Sequence, residues 1–201
     1  MLLNMRTELY PIIFTIFQSS WAFVWAAKHI KIRKRRSYAH NKAQGDTNTR
    51  YKVVSYFLYI LQNILCVASF WSNSQLLLKI HDNNSMSFMG VILISTATVL
   101  YFRSLAYLGR NYSPCFDSHV PFDLISNGPY KFTRHPMYLA KLLIVTGNFI
   151  ISGSLWFVII FVYLMLETVR TIANEERYLS ASVEGYTNYK KRTTRVIPFL
   201  F

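Results

Sequence analysis

Leu142 to Leu166 reads LLIVTGNFIISGSLWFVIIFVYLML, 25 residues without a formal charge. How this run folds decides the architecture. As one tilted helix it crosses a hydrocarbon core once, because about 20 apolar residues suffice. As two short helices it turns in its middle, where Ser152-Gly153-Ser154 supplies small, turn-forming residues. The charges beyond the run separate the two readings. Residues 168–201 carry Arg170, Arg177, Lys190, Lys191, Arg192 and Arg195, and an excess of Lys and Arg marks the cytoplasmic side of a membrane protein.

Three further apolar runs precede this one. Leu9–Ala27 and Val53–Trp71 each supply 19 uncharged residues, and a third extends from Met86 to Phe102 and on toward Leu108. Residues 28–52 hold nine Lys/Arg, whereas the 72–85 connector holds only Lys79. The first loop therefore reads as cytoplasmic and the second does not. The third run returns the chain, leaving residues 109–136 in the cytoplasm with Arg110, Lys131 and Arg134. A single fourth crossing would then strand the basic tail outside, and a helical hairpin returns it. The predicted fold class is all-α: a polytopic integral membrane protein of about five transmembrane helices, N-terminus out and C-terminus in, with a C-terminal hairpin whose arms are short enough to tilt or stop short.

Composition agrees. The chain has 201 residues, is 52% hydrophobic and 16% aromatic, and still carries a formal charge of +13, as expected of apolar blocks joined by basic connectors. It reads as one domain, with N-terminal helices in 1–107 and the chemistry in 108–201. Leu9–Ala27 is longer than a signal-peptide core and its basic cluster follows it, so it is read as a retained helix. Lys28–Arg36 reads as a topology signal resting on anionic headgroups, not as a nucleic-acid site. Cys66, in an apolar run, and Cys115, in a polar loop, match neither a disulfide framework nor a metal site, and no metal is expected.

Polar groups at the mouth of an apolar segment are costly and point to function. Gly128-Pro129-Tyr130-Lys131-Phe132-Thr133-Arg134-His135-Pro136-Met137-Tyr138 gathers such groups where the hairpin begins. Asn127-Gly128-Pro129 makes a tight turn, and Pro136 suits the first turn of a helix. That helix start offers unpaired N–H groups and a partial positive charge, which together with Arg134 can hold a carboxylate. A second cluster, Arg170 with Asn174-Glu175-Glu176, lies beyond the last apolar run. Its carboxylates can receive a cation, an amine or a ribose diol, or merely offset Arg177. The hairpin brings it beside Arg134-His135. The aromatic ending, Tyr186 and Tyr189 before Lys190-Lys191-Arg192, then Val196-Ile197-Pro198-Phe199, either covers this pocket or rests on headgroups.

These motifs in order, Gly-Pro-Tyr-x3-Thr-Arg-His-Pro-x-Tyr, Glu-Glu-x-x-Leu, Tyr-x-x-Tyr-Lys-Lys-Arg and Ile-Pro, resemble the isoprenylcysteine carboxyl methyltransferase family and, more broadly, the membrane methyltransferases that include the phospholipid methyltransferases. The resemblance covers Leu108 to the C-terminus, about half the chain. It implies a cytosol-facing S-adenosylmethionine site opening toward the bilayer. Phe122, Asp123, Leu124, Ile125, Tyr130, His135, Pro136, Met137 and Tyr138 would line the cofactor, with a carboxylate from Glu175 or Glu176. Arg170, just ahead of that pair, would meet the acceptor. The chain departs from the pattern at Ala140, where glycine is usual, at Phe122-Asp123, where a His is common, and in the five-residue offset of Arg170 from Glu175.

The implied reaction is methyl transfer to a lipophilic acceptor such as a prenylated cysteine or a lipid. A carboxylate acceptor needs no general base; Arg134 and Arg170 would orient it while Glu175 or Glu176 steadies the cationic donor. An amine acceptor would need to lose a proton, with a Glu assisting. The competing readings are a phospholipid or amine N-methyltransferase, an NADPH-dependent enzyme like the sterol reductases, which share a similar Arg-His-Pro-x-Tyr region, and a non-enzymatic membrane scaffold. The expected setting is a bacterial inner membrane or the endoplasmic reticulum, with the active site facing the cytoplasm.

Overall fold

The computed structural model describes residues 12–20, 23–24, 26–27, 49–71, 75–80, 84–112 and 123–197. Phe122, Cys115, the basic loop Lys28–Arg36, Pro198, Phe199 and parts of Leu9–Ala27 lie outside these residues. Helical residues at 12–20, 23–24 and 26–27 form α1. They are followed by α2 (Thr49–Trp71), α3 (Asn84–Leu108), α4 (Pro136–Ser152), α5 (Trp156–Ser182) and α6 (Tyr186–Arg192), with short 3-10 turns at Gln75–Leu77, Gly109–Asn111 and Gly128–Lys131. Among the described residues the extended backbone amounts to two isolated bridges, Lys79 with Ser154 and Thr133 with Thr194.

Among the described residues two helices are long and apolar enough to cross a membrane, over Met86–Leu108 and Trp156–Ser182; α4, at 17 residues, and Ile60–Ser69 are shorter apolar segments. The lipid-facing character is visible on α5. Val158, Ile159, Val162, Met165, Leu166 and Val169 are all exposed, whereas Phe157, Ile160, Thr168, Ile172 and Glu176 are buried. Both sets recur at the three- and four-residue spacing of a helix face. An apolar stripe of that length turned outward suits lipid. This chain is a membrane protein with transmembrane helices.

The run that opened the sequence reading is broken where its small residues stand. Gly153 adopts φ +64°, which non-glycine residues rarely tolerate, and its N–H closes α4 onto the Phe149 carbonyl at 2.8 Å. The 75–80 segment is laced to this turn: Ile80 N–H donates to Gly153 O at 2.9 Å, and Leu155 N–H to Leu78 O at 3.2 Å. The Ser154 hydroxyl donates to Leu77 O. Backbone groups at a non-helical break in an apolar segment need partners, and these bonds supply them. Gly90 serves the same packing, since a Cβ there would lie 2.5 Å from Ile151 Cγ1; only a small residue allows that approach.

The chain forms two compact units that interleave in sequence. Of the described residues, one comprises those up to 27 together with those in 49–92 and 145–161; the other comprises those in 93–144 and 162–197. The second unit holds the polar motifs. Its apolar anchor is the buried face of α3, where Ile94, Ala97, Tyr101, Ser104 and Leu105 are fully or nearly fully buried.

Candidate active site

The turn Gly128–Lys131 begins with Gly128 at φ +58°. A side chain there would meet the Tyr107 ring at 2.5 Å, so both backbone and space demand glycine. Pro129 sets the next residue's entry, and Tyr130 is delivered buried beneath the chain. Phe132 N–H and Thr133 N–H both return to Pro129 O, at 3.2 and 3.3 Å. Arg134 and His135 follow, and Pro136 opens α4 at the helix position where a missing N–H is harmless.

From the other direction, residues 186–197 run back across this turn as a strap. Arg134 N–H donates to Thr194 O at 2.9 Å, and the Thr194 hydroxyl donates to Phe132 O at 2.8 Å. The Thr133 hydroxyl, buried, sits 3.0 and 2.9 Å from the carbonyls of Arg195 and Val196. The Tyr189 hydroxyl donates to Tyr130 O at 2.6 Å. Burial pushes the phenols of Tyr130, Tyr186 and Tyr189 above their ordinary range, Tyr189 to about 12.

Glu176 lies at the centre, its carboxylate 2% exposed. Arg134 Nε donates to its Oε1 at 2.7 Å, and Arg195 Nη2 donates to its Oε2 at 3.1 Å. Lys190 Nζ approaches Oε2 at 3.3 Å and His135 Nε2 approaches Oε1 at 3.4 Å. Arg134 is further committed through Nη1, which donates to Lys190 O at 3.0 Å and to Thr193 O. A carboxylate so surrounded ties the start of α4, the last third of α5 and the strap into one knot.

Glu175 has a different position. It lines a cavity together with Asp123, Leu124, Ile125, Tyr130, Arg134, His135, Pro136, Met137 and Tyr138. All the sequence candidates for the cofactor that are described, except Glu176, therefore border one space. Three buried polar atoms of residues bordering it make no hydrogen bond: Glu175 Oε2, which stands 3.7 Å from His135 Nδ1, His135 Nε2, which stands 3.4 Å from Glu176 Oε1, and the Tyr186 hydroxyl. Desolvated polar atoms without partners are costly in a finished core and are what a polar ligand would satisfy. Arg170 is not among the lining residues; its side chain is 73% exposed and pairs with Glu167 at 2.9 Å.

Several lining residues were absent from the sequence candidates. Leu179 and Val183 follow Glu175 at four-residue steps, a helix-face signal that was present in the sequence. Asn111 and Tyr112 arrive from the end of α3, and Asn111 Oδ1 accepts from Asp123 N–H at 3.1 Å. Lys141, two turns into α4 from His135, lines the cavity with its ammonium 5.1 Å from the Tyr138 ring centre.

Comparison with known proteins finds similarity over part of the chain. Residues 85–184 match the phospholipid methyltransferase family. The cobalt-zinc-cadmium resistance protein CzcN of Cupriavidus metallidurans is 29% identical over 99 residues, which cover 48% of this chain and 46% of that protein. A solved structure of the eukaryotic intramembrane Ras methyltransferase, isoprenylcysteine carboxyl methyltransferase, superimposes with a TM-score of 0.53 at 20% identity, covering 78% of this chain and 55% of the other. The chain thus spans about half the length of the relatives it matches. Residues 85–184 are thus similar to the phospholipid methyltransferases, and the fold is similar to that of isoprenylcysteine carboxyl methyltransferase.

Proposed function

We propose that this chain is an S-adenosylmethionine-dependent methyltransferase whose acceptor is a lipophilic molecule bearing a carboxylate. One observation carries the reading: the Tyr130 turn, His135-Pro136-Met137-Tyr138 and Glu175 border one cavity, and three buried polar atoms of its lining residues make no hydrogen bond. That lining fits the cofactor. Leu124, Ile125, Met137, Leu179 and Val183 offer apolar surface for a base, while Glu175 Oε2 and the Tyr186 hydroxyl can accept from or donate to ribose hydroxyls or an ammonium group. Bound there, the cofactor supplies an activated methyl group on a sulfonium centre.

The protein's part is then alignment and exclusion of water. Alignment of reacting groups supplies about 7–11 kcal/mol in favourable cases. A carboxylate acceptor is already ionised at neutral pH and needs no base. Glu175 contributes negative charge beside a cationic donor, and Glu176 holds Arg134 and the strap in place. In the membrane we place five crossings, with the cavity on the cytoplasmic side, because the basic residues of the 109–136 segment and of the tail then share that side. The phospholipid methyltransferase family favours a second reading, an amine acceptor, which would need a proton acceptor such as Glu175.

Calorimetry on the detergent-solubilised chain tests the assignment. S-adenosylhomocysteine is expected to bind in the micromolar range while NADPH does not. Binding of NADPH alone would move the chain to the reductase reading, and binding of neither would leave a scaffold.

A further inference from the structure

The methyl-transfer reading leaves open which residue recognises the acceptor, and the cavity's charges narrow the choice. Arg134 is 7% exposed, and its Nε and Nη1 are already donating to Glu176 and to two strap carbonyls. Arg170 stands outside the cavity with Glu167. Lys141 lines the cavity and is solvent-exposed. It follows Tyr138 by three residues, so both project from one face of α4, and the ring 5.1 Å away gives its ammonium a cation–π platform. It is also the last charge before the apolar run that begins at Leu142. A molecule whose tail lies along that apolar run would bring its head group to this position.

Resting on the methyl-transfer reading, we propose that Lys141 is the specificity-determining residue that meets the anionic head of the acceptor and selects carboxylate over neutral or amine heads. The anion would sit between the Lys141 ammonium and the cavity, its tail directed toward the apolar segment beyond Leu142.

The test uses the full chain in lipid nanodiscs saturated with S-adenosylhomocysteine. Two probes share one tail: N-acetyl-S-farnesylcysteine, and its methyl ester, which lacks the charge. Wild type is expected to bind the acid about tenfold more tightly than the ester, the scale of one charge-assisted hydrogen bond. Lys141→Met should abolish that preference, Lys141→Arg should keep most of it, and Arg170→Met should leave it intact. Affinity for S-adenosylhomocysteine should stay within about twofold in all three variants. The proposal is overturned if wild type shows no preference for the acid or if Lys141→Met retains it. It is equally overturned if Lys141→Met weakens S-adenosylhomocysteine in parallel, because Lys141 would then serve the donor. Failure of wild type to bind S-adenosylhomocysteine at all is a separate result, which sinks the methyl-transfer reading itself.

Discussion

Neighbouring carboxylates stand in different surroundings, and the proposed roles of the Glu-Glu pair divide accordingly. Glu176 is encircled by Arg134, Arg195, Lys190 and His135, whereas Glu175 lines the cavity and its buried Oε2, 3.7 Å from His135 Nδ1, makes no hydrogen bond. Removing one partner from a buried charge network is destabilising by about 3–5 kcal/mol. Glu176→Gln is therefore expected to lose stability on that scale in denaturant unfolding. Glu175→Gln should change stability by less than about 1 kcal/mol and weaken S-adenosylhomocysteine roughly tenfold in calorimetry, the scale of one lost charged hydrogen bond. The opposite pattern would exchange the two roles. The sequence exposed the pair but not its division, because that depends on helical phase. At 100° per residue, Arg170 lies about 140° around α5 from Glu175, whereas Leu179 and Val183 lie about 40° and 80° away. The same arithmetic explains why Arg170, though close in sequence, misses the cavity.

Two elements meet to make the site, the Gly128–Lys131 turn and the strap that follows Gly185. Gly128→Ala forces a Cβ to 2.5 Å from the Tyr107 ring at φ +58°. A loss of about 1–2 kcal/mol is expected from the strained backbone alone, and more from the clash. Tyr107→Ala in the same chain should recover the clash portion and leave the backbone portion, which a double-mutant cycle in thermal unfolding separates. The strap responds to pH. Tyr130, Tyr186 and Tyr189 all have phenols raised by burial, Tyr189 from 10 to about 12. The fold favours their neutral forms. The contribution of Tyr189 is thus full below pH 10 and is lost as pH climbs through about 12. Stability measured by near-ultraviolet circular dichroism should fall across that window, and less steeply in Tyr189→Phe. None of the strap's contacts was legible beforehand. They join residues about 60 positions apart, such as Tyr189 with Tyr130, and no local pattern signals such a pairing.

At the scale of the molecule, what could be read early was what the bilayer constrains most strongly. An apolar run of 25 residues, with Ser152-Gly153-Ser154 inside it, could be one tilted helix or two short ones, and had to break there if the tail's charges were to return. The break stands at Gly153, and Arg134 Nη1 reaches the Lys190 carbonyl at 3.0 Å. Two segments in hydrogen-bond contact must occupy the same side of a membrane. The side proposed here rests on charge, and it is testable. In a background with Cys66→Ala and Cys115→Ser, single cysteines at Lys131 and Lys191, both exposed, should react with a membrane-impermeant thiol reagent only from the cytoplasmic face. A cysteine at Lys79 should react only from the opposite face, because α3 spans 25 residues, about 37 Å of helix, between that loop and the segment after Leu108. Labelling of positions 131 and 191 from the outer face would invert the orientation while keeping the cavity intact. Labelling of the two from different faces would contradict the bond between Arg134 and the strap, and with it the cavity on which the methyltransferase reading depends.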